Sequence, residues 1–225
     1  LNFVASWCGG TPIPGYGSAL YSNNQRYLQL LVPKSAQYPA QLTSVFQLDP
    51  AEAIVLIGLT PPPEKYFGFT PFLRYRVQSD GSKPPLWATV GDIVNNATVK
   101  TTGSSPYNSP VAFIFTPDRG TDARVRKALQ RAGYPAAIIN TVVFPASLLH
   151  LGHGDTGDEF AVVLRNAQWE EGAEDDGEAY IENPPFSLFR VTPTTATVAN
   201  PFPVPPLRVR GTGQTEMDLM KSLDR

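Results

Sequence analysis

The sequence predicts a mainly β fold, an antiparallel or mixed β-sandwich carrying one β-α-β insertion and a terminal helix. Three observations carry that prediction. Ala53–Leu59 is a short, uncharged run rich in β-branched residues, the pattern of a strand buried on both faces. Beyond Pro61, Pro62 and Pro63, which can neither continue a helix nor donate into a ladder, residues 66–77 turn aromatic and then alternate. Phe72, Arg74 and Arg76 fall on one face there, and Leu73, Tyr75 and Val77 on the other. Finally, 23 Pro and 18 Gly in 225 residues punctuate short apolar runs, which suits many turns and stays below the roughly 25–30% typical of low-complexity disorder.

The elements follow in order. Leu1, Phe3, Val4 and Trp7 are candidate core anchors, followed by a loop. Residues 27–32 are a strand stopped by Pro33, and 42–48 a second. Pro71 inside the aromatic strand calls for an edge position or a bulge, expected over 68–71. Residues 86–96 read as a strand and a helical turn, 97–100 as a short extended piece, and 101–110 as a surface loop. Residues 111–115 are apolar, and a helix beginning at Thr121 and Asp122 places Val125, Ala128, Leu129 and Ala132 on one stripe before Gly133 ends it. With a strand over 137–144 this makes a β-α-β unit at 111–144, right-handed if its strands are parallel. Residues 160–165 and 186–191 are further strands.

Domain organisation follows from composition. Residues 1–191 read as one β-rich domain, 192–213 as a Pro-rich extended arm or linker, and 214–225 as the start of an amphipathic helix. That helix, with Met217, Leu219, Met220 and Leu223 on its apolar side, is short for independent stability, so another chain or domain is expected to contact it. The chain itself is expected to be one piece of a longer processed protein.

A net charge of −2 and a pI near 5.7 provide no field that would steer nucleic acid to this surface, and no apolar run is long enough to span a bilayer. Low charge content, a single cysteine and the sequon at Asn96 point to a secreted, periplasmic or organellar setting. Around Trp7 and Cys8 the chain resembles the thioredoxin-family active-site segment. It departs from it at Thr11, where the second redox cysteine would stand, and Pro12 and Pro14 forbid the helix that would activate the thiol.

Chemistry has few places to sit. Tyr66, Phe67, Phe69 and Phe72 are candidates for a stacking platform for a sugar, lipid or flat ligand, or else core. The only histidines, His150 and His153, lie with Asp155 in a glycine-rich loop that could ligate a divalent metal, leaving Glu159 as a base. Glu170, Glu171, Glu174, Asp175, Asp176 and Glu178 lack the alternating spacing of a calcium loop and read as a flexible acidic loop. The basic residues Arg124, Arg126, Lys127 and Arg131 read as a solvated helix surface. Together these readings favour a secreted or lumenal binding or interaction module, with a small-molecule or glycan ligand. The alternative is a hydrolase-like enzyme built on the 150–159 loop.

Overall fold

The computed structural model of the protein describes residues 3–6, 25–38, 40–195 and 197–204. Its strands are β1 (Phe3–Ser6), β2 (Gln25–Leu30), β3 (Val32–Pro33), β4 (Leu42–Thr43), β5 (Ala53–Leu59), β6 (Glu64–Tyr75), β7 (Pro85–Thr89), β8 (Val94–Asn95), β9 (Pro110–Thr116), β10 (Ile139–Val143), β11 (Glu159–Trp169) and β12 (Phe186–Val191). Two α-helices are described, α1 (Arg119–Arg131) and α2 (Glu174–Glu182). One sheet runs β1-β2-β11-β6-β7 with β8 also on β6, all antiparallel. The second runs β10-β9-β5-β12 and is antiparallel except for the β9–β10 pair, which α1 connects. The β-rich sandwich with a β-α-β unit is therefore the observed architecture.

Period-two alternation explains why β5 and β9 carry no charge. Ile54, Leu56, Phe113 and Phe115 point into the space between the sheets, where they meet Leu28, Phe67, Phe69, Phe160 and Leu164. Ala53, Val55, Ala112 and Ile114 point the other way, onto Val125 and Leu129 of α1. The strands β5 and β9 are thus covered on both faces, and their apolar run is continuous rather than alternating. Asp118 caps α1 by accepting from the Thr121 N–H at 2.6 Å, so the helix starts two residues before the Thr121–Asp122 start read from the sequence.

Other boundaries moved for physical reasons. The ladder between β6 and β11 passes through Pro71 without a break, and the shift falls later, where Glu159 faces Tyr75 and Phe160 faces Leu73. Pro71 is tolerated because its carbonyl accepts from the Val90 N–H while its imide nitrogen faces the gap between β7 and β8, where no donor is required. Of the strand read over 42–48, only Leu42–Thr43 pairs as β4, and Phe46 makes an isolated bridge to Phe160. The flexible acidic loop is corrected to a helix: Glu174, Asp175 and Asp176 occupy the first turn of α2, where the helix dipole favours negative charge. Its Gly177 lies under the Trp169 ring, so close that an added Cβ would come within 2.3 Å of ring carbons. Past β12 the chain returns to α1, with Pro201 bridging Asp118 and the Arg119 N–H donating to the Asn200 carbonyl. Trp7, Cys8 and the 214–225 helix lie outside the described residues.

Candidate functional site

A cavity of about 470 Å³ opens between the β3–β4 hairpin and the 150–158 loop. Its wall is assembled from four parts of the chain: Lys34, Gln37 and Tyr38 from the hairpin, Gln47, Asp49 and Glu52 from the approach to β5, His153 and Glu159 from the loop and β11, and Thr192 after β12.

Beneath this wall lies a buried ion pair. Glu52 and Arg190 have side chains 1% and 2% exposed and meet at 2.8 Å. Arg190 is the only charge in β12, and it spends its other donors on the Pro33 carbonyl (2.8 Å) and the Gln47 carbonyl (3.1 Å), tying the hairpin base to the strand. Glu52 Oε2 also accepts from the Asp49 N–H (3.0 Å) and lies 3.0 Å from His153 Nε2, while Oε1 accepts from the Thr192 hydroxyl (2.5 Å). Burial pushes the Glu52 carboxyl up, and the Asp49 N–H, Thr192, Arg190 and His153 outweigh it, holding the group below its ordinary value. Burial likewise draws the Arg190 guanidinium down, opposed by Glu52. Such a pair costs desolvation, which is offset here because each Arg190 nitrogen and each Glu52 oxygen has at least one hydrogen-bond partner.

The loop carrying His153 is fixed from two sides. Gln47 brackets Gly154, accepting from its N–H at 3.0 Å and donating to its carbonyl at 2.5 Å. The Asp158 side chain, 0% exposed, takes a two-handed ion pair from Arg76 (2.8 and 2.5 Å) and accepts from the His150 N–H. That carboxylate raises the Arg76 guanidinium above its ordinary value.

The residues singled out from sequence distribute unevenly over this geometry. His153 and Glu159 line the cavity, and Glu159 is ion-paired with Lys83. His150 is 64% exposed with its ring 3.9 Å from Asp158, and Asp155 is exposed. The His150–His153–Asp155 metal set is therefore corrected: among the described residues the group with three metal-competent donors within 4.8 Å of one another is Asp49, Glu52 and His153. Of the four rings read as a stacking platform or else as core, Phe67 and Phe69 are core. They are fully buried between the sheets because they sit on the inward face of β6. Tyr66 and Phe72 are half-buried on the outer face, beside Arg165 (5.6 Å to the Tyr66 ring) and packed edge-on to Trp87 (5.5 Å). The Asn96 amide donates to the Lys65 carbonyl and the Tyr107 hydroxyl, so a glycan there would displace existing hydrogen bonds.

Sequence reasoning missed Glu52, Asp49 and Arg190. The available signal was a lone acid at the threshold of an uncharged strand and a lone arginine inside another, each a charge where the pattern has no place for one. Compared with known protein families, with curated proteins and with solved structures, the chain gives no match in any of the three. Among the described residues no helix is long and apolar enough to cross a membrane.

Proposed function

We propose that the protein is a secreted or lumenal binding module whose cavity takes a small neutral polyhydroxylated ligand, a sugar or sugar-like polyol. The observation that supports this reading is the charge balance of the wall. Of its three carboxylates, Glu52 is neutralised by Arg190 and Glu159 by Lys83, and the remaining charge of Asp49 is balanced in the overall count by that of Lys34, which lines the same cavity. A wall without net charge gives a polyanion or polycation no advantage, whereas amides, hydroxyls and carboxylates can each meet a ligand hydroxyl as donor or acceptor. Tyr38, 53% exposed at the lip, supplies a ring for the apolar face of a pyranose. The cavity volume lies within the range of small-ligand sites, about 300–1,000 Å³.

Saturation-transfer NMR with neutral mono- and disaccharides tests the reading, with glucosamine and glucuronate as charged comparators and chelator present throughout. Transfer to the neutral sugars that is lost in Tyr38→Ala is the expected result. No transfer, or a preference for either charged comparator, overturns it.

A hydrolase reading has one observation in its favour, since His153 and Glu159 of the 150–159 stretch line the same cavity. Turnover of nitrophenyl glycosides or esters by the native protein, abolished in Glu159→Ala, would favour it over simple binding.

A further inference from the structure

We propose that Asp49, Glu52 and His153 form a site for a divalent first-row transition ion of the zinc and cobalt class. The proposal goes beyond the ligand reading and does not depend on it.

The donor set is one imidazole nitrogen and two carboxylate oxygens, with no sulfur. Imidazole favours zinc, cobalt, nickel or copper over magnesium and calcium, and the absence of thiolate excludes a closed structural zinc centre of the cysteine type. The spacing agrees with that class. His153 Nε2 lies 3.0 Å from Glu52 Oε2 and 3.6 Å from Asp49 Oδ2. Bonds of 2.0–2.2 Å at tetrahedral angles place neighbouring donors about 3.3–3.6 Å apart, so the two spacings that meet at His153 fit an ion with shifts of a few tenths of an ångström, and all three donor atoms lie within 4.8 Å of one another.

The outer supports are already built. Oε2 of Glu52 receives hydrogen bonds from Arg190 and the Asp49 N–H, and Oε1 from Thr192, contacts that fix the carboxylate without using His153. Gln47 fixes the backbone beside His153 through Gly154. The third contact on Oε2, from His153, is the replaceable one: in the metal-bound protein the ion stands where the shared hydrogen stands now. Asp49 and His153 are 46% and 38% exposed and line the cavity, so ions have a path in and the fourth position faces solvent or a ligand hydroxyl. Three protein ligands and one open position is the arrangement of a site that polarises a bound oxygen rather than one that only staples the fold.

The test uses the full chain, freed of metal with chelator and then titrated with Co(II) in the absence of sugar. The intense visible bands of four-coordinate Co(II), saturating at one ion per chain and displaced by Zn(II), are expected. His153→Ala should abolish them, Asp49→Asn should weaken binding roughly tenfold or more, and His150→Ala should leave it unchanged. Circular dichroism confirms that each variant is folded, and Glu52 is left intact because its loss threatens the fold. Absence of the bands in the native chain, the weak spectrum of six-coordinate cobalt, or bands that survive in His153→Ala would each overturn the site. Sugar transfer measured separately in chelator shows whether the ligand reading stands or falls by itself.

Discussion

Two buried glutamates bracket β5 and have opposite fates. Glu52 precedes the strand and Glu64 follows the turn after it; their side chains are 1% and 0% exposed. Glu52 meets Arg190, Thr192, His153 and a backbone N–H, and is held as a carboxylate below its ordinary value. Among the described residues Glu64 has one donor, the Ala167 N–H at 2.6 Å, and its Oε1 has no hydrogen-bond partner. Burial pushes Glu64 up to about 9, against the pull of that single hydrogen bond. Equal burial therefore does not set charge; the number and charge of the donors do. The partnered acid lies under a solvent-open cavity, and the orphaned one lies near Tyr180 of α2, whose phenol it helps burial to raise.

Removing the partnered acid gives the largest effect. Glu52→Ala leaves the Arg190 charge sealed at 2% exposure without its counter-ion and strips acceptors from Thr192 and the Asp49 N–H. A loss of about 3–5 kcal/mol is expected, read as a fall in the urea midpoint at unchanged slope. A loss below 1 kcal/mol would mean that Arg190 finds water, and that the contrast between the two sites is smaller than their burial implies.

Glu64→Gln is expected to do the reverse. The folded chain holds the Glu64 proton up to about pH 9, while the unfolded chain gives it up near 4.5. Between those values the folded state binds more protons, so stability falls as pH rises and is fully present only below the lower value. Gln keeps an acceptor for the Ala167 N–H but cannot ionise in the unfolded chain. The variant is therefore more stable near pH 7, by on the order of 3 kcal/mol, and indistinguishable from the native protein at pH 4. Urea midpoints across pH 4 to 9 check this, and parallel curves for the two proteins would put Glu64 among ordinary carboxylates.

How much of this contrast was legible beforehand depends on the range of the interaction. Strands β5, β9 and β12 and helix α1 could be read because hydrophobic period and capping are local: Ile54 and Val55 announce two buried faces by themselves. Helix α2 was not, because five acids and one glycine in its nine residues outweigh Tyr180 and Ile181 until the Trp169 ring arrives over Gly177. The site was the least legible part. His153 stood out as one of two histidines, but its neighbours Asp49 and Glu52 lie about a hundred positions away and Arg190 comes from a third segment. Only the pairing of β5 with β12, Ile54 opposite Arg190, brings that charge to Glu52. No spacing rule along the chain encodes such a meeting.

The smallest expected effect bears on what keeps Glu64 dry. Gly177→Ala places a Cβ within 2.3 Å of the Trp169 ring, so ring or helix must shift; overpacking of this kind costs about 1–3 kcal/mol, against up to about 1 kcal/mol gained from alanine's helix propensity. A net loss of about 1 kcal/mol is expected. The informative readout is again the pH dependence. Tyr180, in the next turn of α2, donates its hydroxyl to the Leu59 carbonyl at 2.9 Å and packs against Phe186, so a displaced helix draws a side chain away from the end of β5 nearest Glu64. Water reaching the carboxylate would lower its value toward 4.5 and flatten the fall in stability between pH 5 and 9. If Gly177→Ala lowers the urea midpoint equally at every pH, then α2 only packs on the sandwich, and the dryness around Glu64 is a property of the two sheets themselves.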